Sequence, residues 1–250
     1  MTAALETIGL AKRFGGILAT DNVSFRLEVG ARQALIGPNG AGKTTFVNLL
    51  TGVLAPSGGK ILLAGEDVTR LRGDLRVRRG LARTFQINQL FSGMTPLEAL
   101  ALAVSERRGE GSQWWRRIGE GGGIVPEVVE IAERFRLTDV LDERSLSLPY
   151  GKQRLLEIAL AFACRPRVLL LDEPAAGVPE AERHELVAAL AALPRDVSIL
   201  LIEHDMDLVF AYADRISVLV NGALLTEGPA EAIAKDARVR AVYLGEAQDE

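Results

Sequence analysis

The sequence is poorest in the residues that would mark a secreted, membrane-spanning or nucleic-acid-binding chain. One of its 250 residues is cysteine, Cys164. No internal disulfide can form, which fits a reducing compartment. Cys164 ends the apolar helical stretch Ile158-Ala-Leu-Ala-Phe-Ala-Cys164, where a buried structural thiol is expected rather than a nucleophile. No apolar run approaches the roughly 20 residues a membrane-spanning helix needs, and residues 197–202 make only a strand's length. The opening Met-Thr-Ala-Ala-Leu-Glu has neither the basic start nor the apolar core of a secretory signal. Basic charge is not in excess either. The 29 Lys and Arg against 33 Asp and Glu leave a net charge of −4, so no surface built to neutralise nucleic-acid phosphates is expected. What remains is 48% hydrophobic and 25% charged, an ordinary globular chain long enough for a sizeable core.

Its patterning changes along the chain. Near the start Val23, Phe25, Leu27 and Val29 alternate with Ser24, Arg26 and Glu28, the period of a strand with one buried face. Residues 34–36 predict a short apolar strand running into a glycine-rich loop, and 44–50 predict a helix closing near Gly52. Pro56-Ser-Gly-Gly59 marks a turn before a strand at 60–64. From 95 to 164 the apolar spacing becomes helical: Leu97, Leu100, Ala101 and Val104, then Val128, Val129, Ile131, Ala132 and Phe135. The glycine-rich stretch 109–123 between these runs predicts a loop. Strands return after Pro166 at 168–171, 198–202 and 216–220, the last turning at Asn221-Gly222 into 223–226 as a hairpin. An α/β body is thus interrupted by a mostly helical insertion, with no internal repeat.

Two motifs carry chemistry. Gly37-Pro-Asn-Gly-Ala-Gly-Lys-Thr-Thr45 fits G-x-x-x-x-G-K-[ST] and lies between a predicted strand and a predicted helix. Glycines at 37, 40 and 42 permit a tight backbone turn, so that successive N–H groups and the helix N-terminus face phosphate oxygens. Asn39, Gly40, Ala41, Gly42, Lys43, Thr44 and Thr45 are therefore the candidate ATP contacts. Lys43 would neutralise the β- and γ-phosphates, and the Thr44 hydroxyl would be a Mg²⁺ ligand. Val168-Leu-Leu-Leu-Asp172 then supplies an apolar strand with a carboxylate at its tip, followed at once by Glu173. Alternation sends the two side chains opposite ways. Asp172 is assigned to the metal, through its water shell, and Glu173 to polarising the attacking water as general base.

With what surrounds them, these motifs resemble the ATPase subunit of an ABC transporter over nearly the whole chain. The resemblance implies a P-loop NTPase core of RecA-like α/β type, with an N-terminal antiparallel β subdomain and an inserted helical subdomain. Residues 1–86 and 165–250 would form the core and 87–164 the helical signature subdomain. Gln86, in Ala82-Arg-Thr-Phe-Gln86, stands where the family has its Q-loop glutamine, implying contact with metal and water. His204, in Leu201-Ile-Glu-His-Asp-Met206, matches the switch histidine, whereas His184 reads as a surface residue. Phe14 matches the aromatic that stacks on adenine. Leu148-Pro-Tyr-Gly-Lys-Gln-Arg154 occupies the place of the signature, by which two subunits sandwich ATP. It departs from the family with Pro149 in place of serine and Tyr150 in place of glycine. Phosphate sensing is then expected from the N–H groups of Gly151, Lys152 and Gln153, at a helix N-terminus that Pro149 and Tyr150 begin, and from the charge of Lys152. Pro179 likewise replaces the usual Asp or Asn of the D-loop.

Tyr150-Gly151, Pro174-Ala-Ala-Gly177, Ile202-Glu-His-Asp-Met206 and Val242-Tyr-Leu-Gly-Glu-Ala247 narrow the resemblance to bacterial uptake ATPases for branched-chain (hydrophobic) amino acids. That subfamily implies two integral membrane permeases, a second ATPase subunit (or a homodimer) and an extracytoplasmic substrate-binding protein. It places the chain peripherally on the cytoplasmic face of the bacterial inner membrane. Permease contact is expected along residues 87–98, with Phe91 and Met94 as candidates, and Trp114-Trp115-Arg-Arg117 is a candidate for lipid headgroups. A lipopolysaccharide-export ATPase shares the Val-Tyr-Leu-Gly-Glu ending, but its signature is usually closer to Leu-Ser-Gly-Gly. A non-transport ABC ATPase acting on DNA or ribosomes would carry two ATPase halves or long coiled coils, and this acidic chain has neither.

Overall fold

The computed structural model describes residues 3–84, 93–110 and 123–246. In chain order its elements are β1 (Leu5–Phe14), β2 (Ile17–Leu27), β3 (Arg32–Ile36), α1 (Lys43–Thr51), β4 (Gly58–Leu63), β5 (Glu66–Asp67), α2 (Gly73–Arg78) and β6 (Leu81–Arg83). Then come α3 (Pro96–Arg107), α4 (Ile124–Arg134), α5 (Tyr150–Ala163), β7 (Val168–Asp172), α6 (Glu180–Ala191) and β8 (Ser198–Ile202). The chain closes with α7 (Met206–Tyr212), β9 (Arg215–Val220), β10 (Ala223–Pro229), α8 (Ala230–Lys235) and α9 (Ala237–Glu246). They divide into two compact units. One takes in the described residues up to Leu81, Arg167–Glu173 and those from Arg195 onward; the other comprises the described residues between Ala82 and Pro166 together with Pro174–Pro194.

The first unit contains the expected α/β body. An antiparallel sheet ordered β2-β1-β4-β5 accompanies a second sheet in which this unit's strands run β10-β9-β3-β8-β7. At the centre of the latter, β3 runs parallel to both β8 and β9, and β7 runs parallel to β8. All five residues of β3, of β7 and of β8 are buried. That is why residues 34–36, 168–171 and 199–202 read as continuous apolar runs rather than alternating ones. Phe46, Val47, Leu49 and Leu50 of α1 join Leu35, Leu170 and Leu200 in one core, with the Phe46 ring edge-on to Phe25 at 5.7 Å. The C-terminus of α1 is closed by Gly52 in a left-handed conformation. It is also gripped by a fully buried arginine. Arg76 donates to the carbonyls of Leu49 and Leu50, both at 2.6 Å, and to those of Thr69 and Leu71, both at 3.0 Å.

The second unit carries the helical insertion. Helix α3 starts with a capping box, Thr95 accepting from the Glu98 N–H while Glu98 accepts from the Thr95 N–H, with Pro96 in the first turn. Helices α3 and α4 are joined around Glu127. Arg107, Arg108 and Arg165 reach its carboxylate at 2.8, 2.6 and 2.8 Å. Cys164 is half-buried rather than buried. Its thiol, pushed up by burial, points to the Leu160 carbonyl at 3.6 Å, consistent with an unreactive group. His184 is exposed on α6. Among the described residues no helix is long and apolar enough to cross a membrane.

Candidate nucleotide site

The phosphate loop follows β3 and leads into α1, as the pattern requires. Close packing of backbone dictates its glycines. A Cβ on Gly37 would stand 2.1 Å from the Leu219 carbonyl oxygen, and one on Gly42 would stand 2.5 Å from that of Ala19. Gly42, at φ +98°, is the N-cap of α1 and offers no side-chain cap. The Phe46 N–H donates to the Gly42 carbonyl at 2.8 Å and starts the helix. Lys43 curls back over the loop, its Nζ donating to the carbonyls of Gly37 at 2.5 Å and Pro38 at 3.0 Å. Beside the loop lies a cleft of about 460 Å³, lined by residues 39–45, residues 17–19 of β2, Glu173, Asn221 and Gly222.

Strand β7 delivers its two acids to different places. Asp172 pairs in register with Ile202 and is only 5% exposed. Glu173 lines the cleft from a left-handed backbone, φ +46°, held by its N–H donating to the Ile202 carbonyl at 2.8 Å. A non-glycine residue kept there costs about 1–3 kcal/mol, and such strain clusters at working sites.

His204 follows β8. Its Nδ1 lies 3.9 Å from Glu173 Oε1 and 3.8 Å from Glu203 Oε2, and its side chain is 65% exposed. The turn bearing it is fixed by two acids that sequence reasoning gave no role. Buried Glu203 accepts from the N–H groups of His204 at 3.0 Å and Asp205 at 3.3 Å. Asp205 in turn caps α7, accepting from Asp207 and Leu208. An acid directly after an apolar strand was the available signal for Glu203.

The remaining candidates divide. Phe14, 45% exposed at the end of β1, pairs with Ile17, which lines the cleft; its ring faces Lys12 Nζ at 5.0 Å and is not itself part of the lining. Thr44 lines the cleft and is exposed. Gln86, Phe91 and Trp114-Trp115-Arg-Arg117 lie outside the described residues. Met94 is half-buried, its carbonyl accepting from the Ser145 N–H at 3.1 Å and hydroxyl at 2.8 Å.

In the second unit, Pro149 is the N-cap of α5, again without a side-chain cap. The groups expected to meet phosphate have partners here. The Gly151 N–H donates to Glu182 at 2.7 Å, and the Gln153 N–H to the Pro149 carbonyl at 3.0 Å. Lys152 binds the Arg136 carbonyl at 2.5 Å and Asp139 at 3.1 Å. The Tyr150 ring lies under the Arg154 guanidinium at 5.3 Å.

The oxygen donors suit Mg²⁺. Thr44, which lines the cleft, carries a hydroxyl, and Asp172, which is not among the lining residues, a carboxylate. That combination suits an ion held mainly by phosphate and water.

Comparison with known proteins places this arrangement. The ABC transporter family matches residues 20–176. The high-affinity branched-chain amino acid transport ATP-binding protein BraF of Pseudomonas aeruginosa is 42% identical over 97% of this chain and 98% of its own. LivG of Escherichia coli K12, which bears the same description, is 40% identical over the same shares. Among solved structures, the ADP conformation of an ATP-binding cassette of an ABC transporter superposes with a TM-score of 0.84 at 29% identity, over 98% of this chain and 100% of that one. Likeness on this scale, in sequence and in fold, establishes that the chain belongs to the ABC transporter family as a subunit that binds ATP and hydrolyses it to drive transport.

Proposed function

We propose that the chain energises uptake of branched-chain or other hydrophobic amino acids. The observation that carries this reading is its 42% identity, end to end, to a branched-chain amino acid transport ATP-binding protein. It works with integral membrane permeases, a second ATPase subunit and an extracytoplasmic binding protein, peripherally on the cytoplasmic face of the membrane.

In the cycle that fits the geometry, ATP lays its phosphates on the N–H groups of residues 39–45. Lys43 leaves the carbonyls of Gly37 and Pro38 for the β- and γ-oxygens. Phe14 stacks on the adenine beside the apolar residues 17–19. Asp172 and Thr44 would hold Mg²⁺; bound there, the ion supplies charge neutralisation at the β- and γ-phosphates. Glu173, aimed into the cleft by its strained backbone, accepts a proton from the water that attacks the γ-phosphorus, as the bond to the β–γ bridging oxygen breaks and ADP leaves. His204, 3.9 Å away, steadies that carboxylate and the γ-phosphate oxygens. The partner subunit's ATP meets the signature at Pro149, Tyr150, Gly151 and Lys152 once Glu182 releases the Gly151 N–H.

The test is to recover the tagged protein from mildly solubilised native membranes and identify every co-purifying chain. Two permeases, a second ATPase and a binding protein whose ligand is an aliphatic amino acid support the assignment. A complex with an outer-envelope lipid exporter, or with soluble partners alone, overturns it.

A further inference from the structure

The turn joining β9 to β10 has a role beyond reversing the chain. Asn221 at φ +48° and Gly222 at φ +81° form the left-handed pair that a two-residue hairpin demands. That accounts for their residue types but not for their surroundings. The Gly222 N–H donates to the Ala41 carbonyl of the phosphate loop at 2.9 Å, and the Gly222 carbonyl accepts from the Asp21 N–H of β2 at 2.8 Å. A Cβ on Gly222 would stand 2.9 Å from the Ala19 carbonyl oxygen, and one on Gly42 would stand 3.4 Å from the Gly222 Cα. Strand β2, the loop and the turn therefore meet backbone to backbone. In a trans peptide the Ala41 C=O and the Gly42 N–H point opposite ways, so holding the carbonyl fixes the direction of that N–H. Asn221 itself is exposed, lines the cleft, and its carboxamide makes no hydrogen bond among the described residues.

We infer that Asn221 is a nucleotide-binding residue and that Gly222 is a positioning residue for the phosphate loop. A carboxamide donates and accepts without charge. In a cleft lined also by the phosphate loop and the apolar residues 17–19, it suits the ribose hydroxyls of a nucleoside triphosphate. The inference rests on the phosphate loop being the ATP site, so the experiment carries Lys43→Ala as a check on that reading.

Binding of a fluorescent ATP analogue to the purified protein, with thermal melting alongside, separates the possibilities. Asn221→Gly keeps the turn and removes the carboxamide; it is expected to raise the Kd about three- to tenfold, the worth of one ligand hydrogen bond, at unchanged Tm. Asn221→Asp also keeps the turn but faces phosphate with a negative charge, and is expected to weaken ATP more than AMP. Gly222→Ala is expected to weaken ATP further and also to lower Tm. Parental affinity in both Asn221 variants, with Lys43→Ala defective, overturns the inference and leaves Asn221 a turn residue. Parental affinity in Lys43→Ala as well overturns the loop reading itself.

Discussion

Helices α1 and α5 begin alike and are differently prepared. Each starts without a side-chain cap, at Gly42 and at Pro149. At α1 the volumes left by Gly37 and Gly42 are filled by the backbone carbonyls of Leu219 and Ala19, which cannot withdraw. At α5 the volume left by Gly151 is filled by a side chain: Glu182 Oε2 stands 2.4 Å from where a Cβ would be, and the same oxygen accepts the Gly151 N–H. One helix start is a fixed shape. The other is closed by a carboxylate that a rotamer change removes. Two glycine-bearing helix starts therefore differ less in sequence than in what fills the missing side chain's place.

The comparison can be tested from its strongest arm downward. Glu173→Gln, beside the fixed site, should retain ATP binding while phosphate release by the assembled transporter falls about 10²- to 10⁴-fold, the usual worth of a general base. A near-parental rate would remove Glu173 from that role. Gly42→Ala should raise the ATP Kd by at least about tenfold because a backbone carbonyl blocks the new methyl. Gly151→Ala should leave ATP binding to the isolated subunit intact while lowering Tm, since the Glu182 carboxylate can swing away but its Cβ, 3.0 Å from the new methyl, cannot. Equal losses in the two variants would break the contrast. Glu182→Gln keeps an acceptor for Gly151 but drops the charge; the expected outcome is a lower KM for ATP in the assembled transporter at little cost in Tm. An unchanged KM would mean that the carboxylate does not compete with phosphate.

The smallest effect concerns acid. Burial alone would raise the Glu127 carboxyl, but hydrogen bonds from Arg107 and Arg108, with the charge of Arg165, outweigh it and hold it at about 2 against an ordinary 4.5. A depressed folded value stabilises above the unfolded one and is lost as pH falls through the folded one. Melting of the parent should therefore lose ground between about 4.5 and about 2, a slope that Glu127→Gln should lack.

What was legible in the sequence was what local order dictates. The phosphate loop, the acid-tipped strand β7 and the β9–β10 hairpin each announce themselves within ten residues, and each stands where it was expected. Strand β1 was not delimited in advance because its partners β2 and β4 come later and its pairing with both is interrupted by register shifts. Asn221 read as a turn residue, and Glu182 carried no local signal at all. Their meetings with Gly151 and with the cleft lie 31 residues away in one case and across the sheet in the other. Glu203 was quoted within a motif, yet its grip on the His204 turn depends on a side chain folding back on its own backbone.

Arg76 gives the loop helix a built-in counter-ion. The peptide dipoles of α1 add up to partial positive charge at the phosphate end and partial negative charge at the other. That negative end is already met by a guanidinium on the Leu49 and Leu50 carbonyls. Burial lowers the proton affinity of this group, but an arginine keeps its charge at any physiological pH. Salt screens buried charges weakly. The helix therefore stands electrically balanced at its rear whatever the ionic conditions, and arrival or departure of nucleotide changes the charge at its front alone.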